Sequence, residues 1–177
     1  MDLRLRLVEL QPDNVQALRD LSISHNKLGD LAVARGEAEL AATHFQTDMD
    51  LAKRLVELQP DNVQALRDLS ISHERLGDLA VARGEAERST AERHFSAGLM
   101  HVDEVVGRLG SFGDFIAFGR HFCARLSGLW SDHTDLAPDA ADLALVGRFL
   151  SRVQTMGIEL SDAEAALVEG NLPPHPA

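Results

Sequence analysis

The stretch VELQPDNVQALRDLSISHNKLGDLAVARGEAE, Val8 to Glu39, returns 48 residues later as VELQPDNVQALRDLSISHERLGDLAVARGEAE, Val56 to Glu87. Across these 32-residue windows only two positions differ, Asn26 against Glu74 and Lys27 against Arg75. Near-identity at a fixed period of a few tens of residues marks a stacked repeat. One unit cannot bury its own apolar face, so neighbouring copies bury it for each other.

Inside the repeat the spacing is helical. Val15, Leu18, Leu21, Leu28 and Leu31, with Ala17, Ser24 and Ala32 between them, recur at three- and four-residue steps. Pro12 stands at the mouth of this helix, where a fixed φ and a missing N–H are tolerated. Gly36 is its stop signal. A second helix is predicted from Glu37 to about Leu58, with Ala38, Ala41, Phe45, Met49, Ala52, Leu55 and Leu58 as its buried stripe. Leu3 to Leu10 matches Leu51 to Leu58, so the chain opens on the second half of a unit.

The second copy stays faithful through Glu87 and then departs. His44-Phe45 corresponds to His94-Phe95 with an offset of 50, which places a two-residue insertion near Ser89-Thr90. Ala91, Phe95, Gly98, Val102, Val105 and Leu109 still read as a helical stripe, and Gly107, Gly110 and Gly113 mark a joint. Beyond the joint, Phe112, Phe115, Ile116, Phe122, Leu126, Leu129 and Trp130 predict one helix. Leu143, Val146, Phe149, Leu150, Val153 and Met156 predict another, and Ser161 with Glu164 is a capping box before a short last one. No stretch alternates as a strand does, so the fold class is all-α. The expected organisation is a repeat region over residues 1–110, a Phe-rich helical cap or accessory pair over 111–170, and a frayed tail over 171–177.

Composition narrows the function. The net charge is −11 over 177 residues, both regions being acidic, which disfavours grip on a phosphate backbone and suits a basic partner. The single cysteine, Cys123, excludes an internal disulfide framework and fits a reducing compartment. MDLRLRLVEL lacks the apolar core and cleavage site of a signal peptide, and no window is apolar enough to span a bilayer. The expected location is cytoplasmic, with no membrane or nucleic-acid partner.

The repeat resembles the tetratricopeptide repeat, a helix–turn–helix unit. The matching features are Leu28-Gly29 and Leu76-Gly77, the small Ala32 and Ala80 one turn on, and the Gly36 and Gly84 turns. Ala41 with Phe45 in the second helix, and Pro12 and Pro60 at the unit boundaries, complete them. The usual unit is about 34 residues. The extra length here is close to four helical turns, so the chain looks like a long bacterial form of the repeat, over roughly residues 3 to 109. The resemblance implies a stack of antiparallel helical hairpins, a short solenoid whose concave face receives a protein or peptide partner. On this chain that face falls on Asn26, Asp30 and Val33 beside Glu74, Asp78 and Val81, a mildly acidic surface.

Catalytic and metal chemistry finds little support. His25 and His73 each follow a serine, Ser22 or Ser70, by one turn, but no strained turn presents either serine and no oxyanion donors accompany them. His94, His101 and Glu104 share a helix face without further ligands, and His121 and Cys123 face different sides. Asp132, Asp135, Asp139 and Asp142 lack the glycine and final glutamate of a calcium loop. No phosphate-cradling glycine motif occurs. The expectation is a scaffold that is not an enzyme and uses no cofactor or metal. The alternatives are a self-assembling repeat module forming homo-oligomers, or a small effector acting through its C-terminal helices.

Overall fold

The computed structural model describes residues 2–84, 88–110, 113–131 and 138–172. Expectations about Phe112, Asp132, Asp135 and residues 173–177 of the tail lie outside the described residues. Among the described residues the chain is all-helical, with eight α-helices and no strand. It divides into two compact units, Met1–Glu87 and Arg88–Ala177.

The first unit holds α1 (Asp2–Leu10), α2 (Val15–Ala34), α3 (Ala38–Leu58) and α4 (Val63–Arg83). The repeated QPDN phrase builds the start of α2 and α4. Asn14 accepts the Ala17 N–H at 3.0 Å, and Asn62 accepts those of Gln64 at 2.9 Å and Ala65 at 3.2 Å. Each asparagine also donates to the glutamine three residues back, Gln11 or Gln59, at 2.6 Å. Asparagine is therefore the cap, and Pro12 lies in the turn ahead of it rather than in the first helical turn. At the far end of α2, Gly36 takes φ 72°, its N–H reaching Val33 O while Glu37 N–H reaches Ala32 O. This left-handed closure sends α3 back along α2 after three residues.

The axis of the unit is α3, packed on α2 along one side and on α4 along the other. Phe45, Met49, Ala41 and Ala52 of α3 share one cluster with Ala32 of α2 and with Leu69, Leu76 and Leu79 of α4. A smaller cluster joins Leu18, Leu55 and Ala65, with Val8 and Val15 against it. Gly29 lets α3 come close: a Cβ there would overlap the Phe45 ring. The pairing of Leu-Gly in one helix with Phe in the next thus has a steric cause. Leu31 departs from expectation. Its copy Leu79 is 8% exposed, whereas Leu31 is 45% exposed.

The second unit holds α5 (Arg88–Leu109), α6 (Gly113–Ser131), α7 (Ala140–Thr155) and α8 (Asp162–Val168). Here the same device recurs twice. A Cβ on Gly98 would overlap the Phe122 ring, and one on Gly119 the Phe149 ring. Phe95, Leu99, Val102, Phe122, Leu126, Phe149 and Leu150 are fully buried around these contacts. Trp130 is buried and donates its indole N–H to Glu92 at 2.7 Å. Arg148 and Arg152 each donate to the buried Asp103 at 3.1 Å. Burial by itself would raise the Glu164 carboxyl, but paired bonds from Arg120 and the Ser161 cap outweigh it and hold it below its ordinary value.

The boundary between the units falls ahead of α5, not at the glycine joint expected near 110. The sequence grouped α5 with the repeats, whereas its buried face belongs with α6 and α7. Gly110, at φ 74°, terminates α5, and Gly107 makes room for the Arg152 guanidinium. Leu109, expected on the buried stripe, is exposed, and Leu145, missed by that reading, is buried.

Candidate functional site

The side chains of α2 and α4 that line the groove between these helices are held by two ion pairs. Arg19 donates to Asp68 at 2.9 Å, and Arg75 lies 3.5 Å from Asp30. One recess, with about 420 Å³ of empty space, is lined by Ser22, Ile23, Asn26, Lys27, Asp48, Asp68 and Ile71. A second, of about 450 Å³, is lined by Asp30, Val33, Phe45, Arg75, Asp78, Leu79 and Ala82.

At the floor of the first recess sits Asp48 of α3, almost wholly buried. Ser22 Oγ of α2 donates to its Oδ1; Ser72 Oγ of α4 donates to its Oδ2 at 2.9 Å, and Asn26 Nδ2 to the same oxygen at 3.1 Å. Burial pushes the Asp48 carboxyl above its ordinary value, and the three donors only partly offset this. The two copies of the Ser-Ile-Ser phrase thus supply different serines to one acid. Their counterparts bond to their own helices: Ser24 donates to Asp20 O and Ser70 to Leu66 O. This also explains one of the two differences between copies. A glutamate in place of Asn26 would set a second carboxylate against a buried one, and Asn26 supplies a donor instead.

Of the six residues expected on a concave face, the structure brings four to this groove. Asn26 lines the first recess, and Asp30, Val33 and Asp78 line the second. Asn26 is turned inward on Asp48, and Asp30 faces Arg75. Glu74 and Val81 line neither recess. Asp30 and its copy Asp78 meet at one recess, whereas Asn26 and Val33 line recesses that their copies Glu74 and Val81 do not. Sequence reasoning missed Ile23, Ile71, Arg75 and Asp48. Arg75 had a signal, as one of the two positions at which the copies differ.

No protein-family model matches the chain, no curated protein matches it, and no solved structure matches it.

The serine–histidine idea finds no geometry in the first copy, since Ser22 bonds to Asp48 and His25 pairs elsewhere. His25 Nδ1 lies 3.1 Å from His44 Nδ1, so one ring donates to the other only while at least one is neutral. Burial lowers the His25 pKa, the His44 charge lowers it further, and Asp48 opposes both. A lowered histidine pKa contributes stability above 6.5 that is lost as pH falls through 6.5 toward the depressed value. His25→Gln is therefore expected to show a smaller loss of melting temperature than the parent between pH 7.5 and 5.5. Parallel melting curves for the two proteins across that range would overturn this.

Cys123 is buried and its thiol is pushed well up by desolvation, while His121 is exposed. Among the described residues no three His, Cys, Asp or Glu side chains are grouped to hold a metal ion. Among the described residues, no helix is long and apolar enough to cross a membrane.

Proposed function

We propose that the chain is a non-enzymatic scaffold of tetratricopeptide-like hairpins, stacked as a short solenoid, that binds a protein or peptide partner along the groove between α2 and α4. The observation that carries this reading is the groove itself. It combines the apolar walls of Ile23, Ile71 and Val33 with the carboxylates Asp30, Asp68 and Asp78. Arg19 and Arg75 pair with Asp68 and Asp30, and Lys27 lines the first recess, so a partner's basic side chain on an apolar stem would exchange with these cations for the carboxylates.

The test uses the full chain against a random peptide display library, followed by affinity measurement on the selected sequences. Basic peptides are expected to dominate. The double variant Asp30→Lys with Asp78→Lys should weaken them about tenfold or more, equivalent to about 1.4 kcal/mol. Asp30 is exposed and Arg75 partly so, and loss of their pair should leave the helical circular dichroism unchanged. Equal affinity of the double variant would remove the groove from the function.

A further inference from the structure

His25 and His44 stand 19 residues apart in the chain and meet where α2 packs on α3. Their rings are tilted by 54° with centroids 5.3 Å apart, so they do not stack; they meet through their Nδ1 atoms, 3.1 Å apart. Contacts on either side fix this meeting. One turn before His25, Ser22 donates to Asp48, which lies one turn beyond His44 on α3. One turn after His25, Gly29 admits the ring of Phe45, the chain neighbour of His44. The two helices are thus clamped at both ends of the pair. Both histidines are half-buried, which leaves an approach from solvent.

Two ring nitrogens facing each other at this separation admit two states. In one, a proton is shared: one ring donates from Nδ1 and the other accepts. In the other, both Nδ1 lone pairs turn to one cation. Two nitrogens each about 2.0–2.1 Å from a zinc ion stand about 2.9 Å apart at a right angle and about 3.4 Å apart at the tetrahedral angle. The observed 3.1 Å falls between these limits, so small rotations of the rings seat a cation without moving either helix. The negative charge of Asp48 reaches His25 and favours a cation there.

We propose that His25 and His44 form a two-histidine site for a divalent transition-metal ion of the zinc class, seated between their Nδ1 atoms and linking α2 to α3. Neutral imidazole suits zinc, copper and nickel among the divalent ions. Both rings bind as the Nε2–H tautomer, so the proton held on the donating Nδ1 passes through solvent to Nε2 of the same ring, and the rings release no net charge. Among the described residues no third His, Cys, Asp or Glu joins the pair, so water takes the remaining positions on the ion. The pair lines neither recess of the groove between α2 and α4, so this site and the proposed function can succeed or fail independently.

The probe is Zn²⁺ alone, titrated calorimetrically into the chelator-treated full-length chain at about pH 7.5, where ordinary histidine is neutral. The site should bind with a Kd on the order of 10 µM, and about 0.2 mM Zn²⁺ should raise the melting temperature by roughly 5 °C. His25→Gln and His44→Gln should each lower the number of bound zinc ions by one. Glutamine keeps a hydrogen bond to the remaining ring but offers no imidazole lone pair, and unchanged circular dichroism checks that the variants fold. Nitrogen NMR of the parent's histidine rings gives a readout that needs no variant, since the Nδ1 signals of His25 and His44 should shift together as zinc is added. Zinc that leaves both signals in place, or a bound number that neither substitution lowers, would overturn the proposal. So would an absence of binding up to about 1 mM Zn²⁺.

Discussion

Gly29→Val is expected to destabilise the first unit by about 3 kcal/mol, at the upper end of overpacking costs. The Cβ alone would overlap three atoms of the Phe45 ring. That ring has nowhere to go, being 2% exposed and enclosed by Ala41, Met49, Leu76 and Leu79. Either α3 lifts from α2, opening the cluster on both sides, or the ring leaves the core and forfeits about 1.5–3 kcal/mol of burial. The origin of the loss can be isolated by a double-mutant cycle. Phe45→Leu alone leaves a cavity, but it should restore part of the stability lost by Gly29→Val, because the branched side chain occupies the space the ring vacates. Chemical denaturation of the four proteins measures the coupling. Strictly additive losses would show that Gly29 matters for some reason other than this ring.

Asp48→Ala is expected to cost about 2–4 kcal/mol. The carboxylate gathers donors from both flanking helices, Ser22 and Asn26 from α2 and Ser72 from α4. Removing it strands Ser22 at a buried position, while Ser72 keeps its bond to Asp68 O. Asp48→Asn retains the size without the charge and should cost less than alanine. The two variants also differ from the parent in their response to pH. Because the folded Asp48 pKa is raised, the folded state holds its proton more tightly than the unfolded state does. Its contribution is then largest below the ordinary value of about 3.9, and is lost as pH rises toward the raised value. The parent should therefore lose more stability than Asp48→Asn across that acidic window, by thermal melts at matched ionic strength. Identical pH profiles would mean that Asp48 is not shielded from solvent.

Much of the architecture could be read before any coordinates. The Ser161 and Glu164 capping box, the Gly36 stop and the Phe45 stripe are local signals, resolved within a few residues of chain. The candidate groove was only half legible. Asp30, Val33 and Asp78 were placed by repeat position, but Asp48 reads in sequence as one more acid on a helix, with nothing to mark it as buried. Its burial depends on serines 26 residues before it and 24 residues after it, a meeting that no local pattern reports.

The sequence by itself determined that the chain is helical, where the repeated helices begin and end, and which residues share a stripe. Caps, glycines and a period near 3.6 act within one or two turns, and both copies start their long helix on the same asparagine cap. Only the tertiary structure decided what each stripe meets. Leu31 and Leu79 sit in the same words, yet one is exposed and the other buried, because Leu79 packs in the cluster of Phe45 and Met49 from α3 and Leu31 lies outside it. The same holds for α5, whose stripe was legible and whose grouping with α6 and α7 was not. Burial is a property of the neighbour as much as of the residue, and a helix's own sequence does not name its neighbour.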